Sequence, residues 1–258
     1  MTVRVIVAAH KKAPMPADPL YLPLHVGAAG KESIGFRRDD EGENISLKNS
    51  RFSELTGLYW AWKNLDADCI GLVHYRRFFK GKGRGRDPLA AVLTEEEALA
   101  LLADGKPVLP KKRNYLIDTL YGHYCHTLSP GPLDLTGEII RASYPRYAPE
   151  FERLKTRRAG HMFNMMIMPR NILDRYCSFL FPLLFEVEEK ADPAEFEDPF
   201  HARFPGRVSE LLLDVFLRTE GIDCREVPLL YPDGQGLIKK GAAFLRARFG
   251  GKKYGKSF

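Results

Sequence analysis

No two of the four cysteines in this 258-residue sequence stand close enough to share a redox or metal-binding motif. Cys69, Cys125, Cys177 and Cys224 are widely spaced, and none belongs to a CxxC pair. Zinc ribbons and thioredoxin-type centres are therefore excluded. Their flanks are mostly apolar, the setting of buried reduced thiols in a cytosolic protein. Long hydrophobic runs are missing too. No window approaches the ~20 continuous apolar residues that cross a bilayer, and the apolar run in "MTVRVIVAAHKK" is too short for a signal peptide. The expected location is cytoplasmic. Walker A, GxGxxG, HExxH and GxSxG patterns are absent, so P-loop, Rossmann dinucleotide, zincin and α/β-hydrolase readings lose their main support. No internal repeat or low-complexity segment occurs.

What is present is the composition of a soluble globular domain. It is 45% hydrophobic, 28% charged and 11% aromatic, which argues against disorder, collagen-like and coiled-coil classes. The length suits one large domain or a domain with an appendage. A formal charge of +6 favours anionic partners without naming them.

Strands alternate with helices along the chain. "VRVIVAA" (Val3 to Ala9) and the apolar part of "CIGLVHYRRFF" read as strands buried on both faces. "PVLP", "HMFNMMIMP" (His161 to Pro169) and "CREVPLLYP" extend the set. Helices are expected after Ser53, its plausible N-cap, in "SELTGLYWAWKN", where Leu55, Leu58, Tyr59 and Trp62 fall at helical spacing. "TEEEALALLADGK" carries a Thr94/Glu97 capping box and Gly105 as its stop. Further helices run from about Asn171 to Glu189 and through "RVSELLLDVFLRTEG", closed by Gly221. The expected fold class is α/β, a central mostly parallel sheet flanked by helices.

Polar clusters sit where two of these strands end. His10, Lys11 and Lys12 follow the first. His74, Tyr75, Arg76 and Arg77 follow the "CIGLV" strand, at the carboxyl edge where open α/β sheets bind ligands. Arginine carries a fixed fork of donors that matches phosphate oxygens. Adjacent residues of an extended chain face opposite ways, so one of Arg76 and Arg77 is expected to meet a ligand and the other to pair inside. A purely structural ion pair is the alternative. Asn44, Asn49, Glu54 and Lys63 are interleaved with Tyr59, Trp60 and Trp62, the side-chain types that bind sugars and bases; core aromatics with polar caps are the plainer account. Glu210 and Asp214, at i and i+4, share one helical face and offer a general base, or simply a solvated surface. "GKGRGR" lacks aromatic interleaving, so a nucleic-acid partner is not expected.

From Lys239 to Phe258 there are seven Lys/Arg and no acidic residue. If helical, this segment is amphipathic, with Ile238, Ala242, Leu245 and Phe249 near one face, and suits an anionic membrane interface. The expected division is a domain over 1–235 and a basic tail over 236–258.

The ordered segments "AHKK", "YLPLHVGA", "ENISLKN", "SELTGLYWAWKN", "IGLVHYRRFF", "FNMMIM" and "RVSELLLDVF" together resemble the capsular and exopolysaccharide synthesis family catalogued as domain of unknown function 4422. The resemblance runs from Val3 to about Pro232. It implies a bacterial UDP-sugar-dependent glycosyltransferase with a GT-A-like fold, inverting, moving galactofuranose from UDP-galactofuranose onto a growing lipid-linked glycan. It further implies a peripheral position on the inner face of the plasma membrane, with the tail against anionic lipid; self-association is left open. His10, Lys11, Asn44, Asn49, Glu54, Lys63, His74, Tyr75, Arg76 and Arg77 would bind the donor. Asn164, Met165 and Trp60 would face the acceptor, and Glu210, with Asp214 as substitute, would be the base. Where many GT-A enzymes carry a metal-binding Asp-x-Asp, His74-Tyr75-Arg76 stands here, so no metal cofactor is expected. Mg²⁺ or Mn²⁺ at Asp39 and Asp40 is the alternative. A competing assignment is a non-catalytic nucleotide-sugar or glycan-binding subunit of a polysaccharide assembly complex.

Overall fold

The computed structural model describes residues 1–233; the basic tail proposed from the sequence lies outside the described residues. The strands are β1 (Val3–Ala9), β2 (Tyr21–His25), β3 (Arg37–Arg38), β4 (Cys69–His74), β5 (Phe78–Phe79), β6 (Val108–Pro110), β7 (Arg113–Asn114), β8 (Ala159–Gly160), β9 (Met166–Pro169), β10 (Arg225–Val227) and β11 (Leu229–Leu230). The helices are α1 (Asn49–Phe52), α2 (Leu55–Asn64), α3 (Glu95–Leu102), α4 (Leu120–Thr127), α5 (Gly131–Ser143), α6 (Ala148–Glu152), α7 (Arg170–Lys190) and α8 (Phe204–Thr219).

Seven strands form the central sheet in the order β10-β6-β9-β4-β1-β2-β3. All run parallel except β9, which pairs antiparallel with β4 and β6. The mostly parallel α/β class expected from the sequence is therefore the class observed. Alternate residues of β1 feed two cores. Ile6 and Ala8 pack with α2, α5, α7 and α8, while Val3, Val5 and Val7 pack with β5 and α3. Burial on both faces explains why β1 and β4 are almost uniformly apolar. Gly71 is required at the centre of β4: a Cβ there would lie 2.8 Å from the Met166 carbonyl and 2.9 Å from Val5 Cγ2.

Helix ends follow their sequence marks in part. Thr94 and Glu97 form the reciprocal capping box on α3, and Gly221, at φ +64, closes the chain after α8. Ser53 is not the N-cap expected for the helix in "SELTGLYWAWKN". It sits at φ 52 between α1 and α2, and α2 begins after Glu54. The strand expected from His161 to Pro169 is also shorter than read. It starts only at Met166, because Phe163 and Asn164 adopt φ values of 80 and 52 and turn the chain.

A buried carboxylate ties the loops after β2 to α2. Asp39, wholly inaccessible, accepts hydrogen bonds from the Gly27 and Ala28 amides (2.8 and 3.0 Å) and from the Ser46 and Thr56 hydroxyls (2.5 and 2.7 Å). Four donors on one carboxylate satisfy the requirement that a buried charge be hydrogen-bonded. No helix among the described residues is long and apolar enough to cross a membrane.

Candidate functional site

The carboxyl ends of β1 and β4 lie side by side, since Val7 pairs with Val73 and Ala8 with His74. Beyond β4 the chain does not continue extended. The His74 amide donates to the Arg77 carbonyl at 3.2 Å and the Arg77 amide to the His74 carbonyl at 2.9 Å, closing a tight turn into β5. That turn separates the two arginines. Arg76 is exposed, its Nε donating to the Tyr75 hydroxyl at 2.8 Å and its guanidinium 5.0 Å from the Tyr75 ring. Arg77 turns inward, 4.4 Å from the Phe163 ring.

The outer half of the edge is cationic. His10 meets Tyr75 edge to face at 5.4 Å, and Lys11 lies 5.9 Å from the same ring. Burial holds the His10 imidazole below its ordinary value, and Arg76, Lys11, Arg203 and Lys31 depress it further. A neutral imidazole among cations can accept an anion without adding a buried charge of its own. Arg203, just ahead of α8, donates through Nε and Nη2 to the Ser53 hydroxyl at 3.1 and 3.0 Å. The left-handed backbone at Ser53 thus serves to present an acceptor to this arginine.

Deeper in, two carboxylates, Glu54 and Glu210, lie within electrostatic reach of each other. Glu210 on α8 is half-buried. Burial raises its pKa; Arg207 opposes that, and the charge of Glu54 adds to it. The Phe163 amide hydrogen-bonds Glu210. Glu54 is fixed by the Asn164 amide, whose Nδ2 donates to it at 2.7 Å. The same nitrogen donates to the Gly206 carbonyl at 3.0 Å, and Asn164 Oδ1 accepts from Ser209 at 2.9 Å. His74 Nε2 lies 2.8 Å from the Phe163 carbonyl. Burial lowers the His74 pKa, Glu54 counters it, and Arg77 adds to the lowering; the neutral ring therefore carries its proton on Nε2 to reach that carbonyl. Two adjacent non-glycine residues in the left-handed region, Phe163 and Asn164, hold this constellation together. Such strain persists where surrounding contacts over-determine it.

Residues 4–221 match the family model described as "Domain of unknown function (DUF4422)". This chain belongs to the DUF4422 family. A solved structure titled as the apo form of WbbM, a bifunctional glycosyltransferase, matches this DUF4422 chain with a TM-score of 0.83 and 25% sequence identity, over 90% of this chain and 45% of that one. The chain thus spans less than half of that longer protein. The GT-A-like α/β fold implied by the sequence is the fold observed. No curated protein matches the chain.

Within this DUF4422 fold, His10, Lys11, Glu54, His74, Tyr75, Arg76, Arg77 and Glu210 are brought to one edge. The other residues singled out in the sequence have other surroundings. Asp214 is engaged by His161, which donates from its amide at 2.9 Å and from Nδ1 at 2.7 Å. Asn164 and Met165 are completely buried, so they support the edge rather than face an acceptor. Trp60 is also completely buried, its Nε1 donating to the Glu41 carbonyl at 3.0 Å and Arg37 stacked 4.8 Å from its ring. Asn49 bonds the Ser53 carbonyl and Thr56, and stands where a Cβ on Gly27 would fall. Asn44 bridges its own loop, from the Gly42 carbonyl to the Ser46 amide. Lys63 pairs with Glu43 at 3.2 Å and lies 4.0 Å from the Trp62 ring.

Asp39 and Asp40 do not present ligands to this edge. Asp39 is filled by its four donors, and Asp40 pairs with Arg38 at 2.6 Å. Among the described residues, no group of three or more His, Cys, Asp or Glu is arranged to hold a metal. The donors that end β4 are an imidazole between arginines, which repel a divalent cation and attract a phosphate. Sequence reading missed Arg203, Arg207 and Phe163. Arg207 carried a signal: it precedes Glu210 at i−3 on the same helix, whereas Arg203 lies in the turn ahead of it.

Proposed function

We propose that this chain is a nucleotide-sugar-dependent glycosyltransferase acting in bacterial surface polysaccharide synthesis, with Glu210 as its general base. The carrying observation is the pairing, at one sheet edge, of a cationic rim with a half-buried carboxylate of raised pKa. A sugar nucleotide needs both: positive charge for the diphosphate, and a base for the incoming hydroxyl. The proposed donor is UDP-galactofuranose and the acceptor a lipid-linked glycan.

In the reaction, Glu210 takes the proton of the acceptor hydroxyl as its oxygen attacks the anomeric carbon. The bond from that carbon to the diphosphate oxygen breaks, and UDP departs with the electron pair, so the anomeric centre inverts. Arg76, Arg203 and Lys11 meet the charge that grows on the leaving diphosphate. Charge stabilisation of that kind is the task a metal performs in other enzymes, and activity is expected to persist without one.

The test is UDP release from a panel of UDP-sugars with a galactoside acceptor, with EDTA and with Mn²⁺. Turnover of one donor in EDTA, lost in Glu210→Gln while UDP binding remains, supports the proposal. UDP binding without turnover for any donor and any lipid-linked acceptor indicates a binding subunit instead. Turnover that vanishes in EDTA rejects the metal-free diphosphate site.

A further inference from the structure

Leu47 is the most exposed large aliphatic residue among the described residues, at 84%, but it stands alone; two neighbours are exposed together between β7 and α4. Leu116 is 73% exposed and Ile117 56% exposed, adjacent in the chain. Solvent exposure of single aliphatic residues is ordinary, but two together at a loop tip need a reason. Laxity is not the reason. Ile117 N–H donates to the Tyr115 carbonyl at 2.6 Å, Leu116 N–H to Asn114 Oδ1 at 2.9 Å, and Arg158 Nη1 to the Leu116 carbonyl at 3.2 Å. Tyr115 itself is buried and its amide is held by the Arg158 carbonyl at 2.8 Å. This three-residue turn places Leu116 at φ 58, a conformation that glycine or asparagine would adopt with less strain. The backbone is therefore held, against local preference, in a form that points two aliphatic side chains at solvent.

The surroundings are basic. Lys111, Lys112 and Arg158 are exposed around the turn. The acidic neighbours are few and engaged, Glu226 with Lys112 at 3.3 Å and Asp118 with His126 at 3.4 Å. An apolar tip in a cationic collar complements the acyl region and anionic headgroups of a lipid bilayer. Nucleic acid would match the collar but gives no use to bare aliphatic side chains, since it is bound through phosphates and flat aromatic rings.

We propose that the Leu116–Ile117 turn and its basic collar dock on an anionic membrane surface, independently of the tail and of the transferase assignment. Tyr115, buried beneath the turn, lies within electrostatic reach of Glu210, so the docked turn is on the same side of the molecule as that carboxylate. The test uses the full chain and vesicles of phosphatidylcholine with or without phosphatidylglycerol. Leu116→Asn with Ile117→Asn suits the turn's backbone and keeps every charge, and it is expected to weaken partition onto anionic vesicles at least roughly tenfold. Separately, Ile117→Trp is expected to blue-shift on binding and to be quenched by brominated acyl chains. Equal partition of wild type and the asparagine variant, a tryptophan that stays in water on the vesicle, or a preference for single-stranded RNA over anionic vesicles would each overturn the proposal.

Discussion

Glu210 and Asp214 stand one turn apart on the same helix, yet they end in opposite electrostatic states. Asp214 receives an amide and an imidazole from His161, and burial is outweighed: its pKa falls while that of His161, although pulled down by burial, rises to about 9. At Glu210 burial wins: it raises the pKa, with Glu54 adding to the rise, against the opposing pull of Arg207, the Phe163 amide and Arg77. The same helix face thus holds a fastening and the carboxylate proposed as the base. The difference comes from the partners that β8 and the Phe163–Asn164 turn bring up, not from the spacing. A carboxylate fully matched by donors stabilises the fold, whereas one left under-matched is available for proton transfer.

The comparison breaks most visibly in Glu210→Gln. Turnover should fall about 10²- to 10⁴-fold, the usual worth of a general base, with UDP affinity and melting temperature unchanged. Comparable turnover would remove Glu210 from the chemistry. Asp214→Asn should do the reverse. Stripping one partner from a buried ion pair costs roughly 3–5 kcal/mol, seen as a lower denaturation midpoint, while turnover per folded molecule holds.

pH separates the two sites without mutation. Because folded His161 titrates above its unfolded value of 6.5, its contribution to stability is complete below pH 6.5 and is lost as pH rises through about 9. Melting temperature should decline over that window, and the decline should shrink in Asp214→Asn, where Glu226, 3.2 Å from His161 Nε2, remains as a partner. For Glu210 the readout is rate: kcat/KM should fall on the acid side with an apparent pKa above the ordinary carboxylate range, and Glu210→Gln should lack that limb. The smallest effect is expected from Asn164→Ala. It removes one of two partners from the Gly206 carbonyl, which keeps its 2.8 Å bond from the Ser209 hydroxyl, and frees Glu54 to move, visible as a lower kcat with a stability loss of about 1 kcal/mol.

Much of the frame was legible in the sequence because burial on both faces leaves an unbroken apolar run, as in β1 and β4. Their polar ends were legible for the same reason, since a buried strand must surface somewhere, and the structure brings those two ends side by side. The Phe163–Asn164 turn was not legible. Non-glycine residues in the left-handed region carry no compositional mark, so "HMFNMMIMP" read as one strand. Trp60 misled because helical spacing assigned only one face of α2 to the core. The Asp39–Glu43 loop and Arg37 cover the other face, and such long-range cover has no local signal. Asn49 and Asn44 were read as ligand groups because amides that fix loops have the same chemistry as amides that bind sugars.

The reversed direction of β9 has a bearing on how the molecule is made. It pairs with β4, Leu72 opposite Met166, and its reversal is what delivers Phe163 to the sheet edge. The groups gathered at that edge come from His10 near one end of the fold to Arg77, Phe163 and Glu210 far along it. During synthesis the first four strands can align as they emerge from the ribosome, but the cleft has no floor until β9 is inserted and α8 has packed behind it. A nascent chain therefore passes through a long interval with an open hydrophobic seam along β4 and no binding edge, and that interval is when it is most in need of a chaperone.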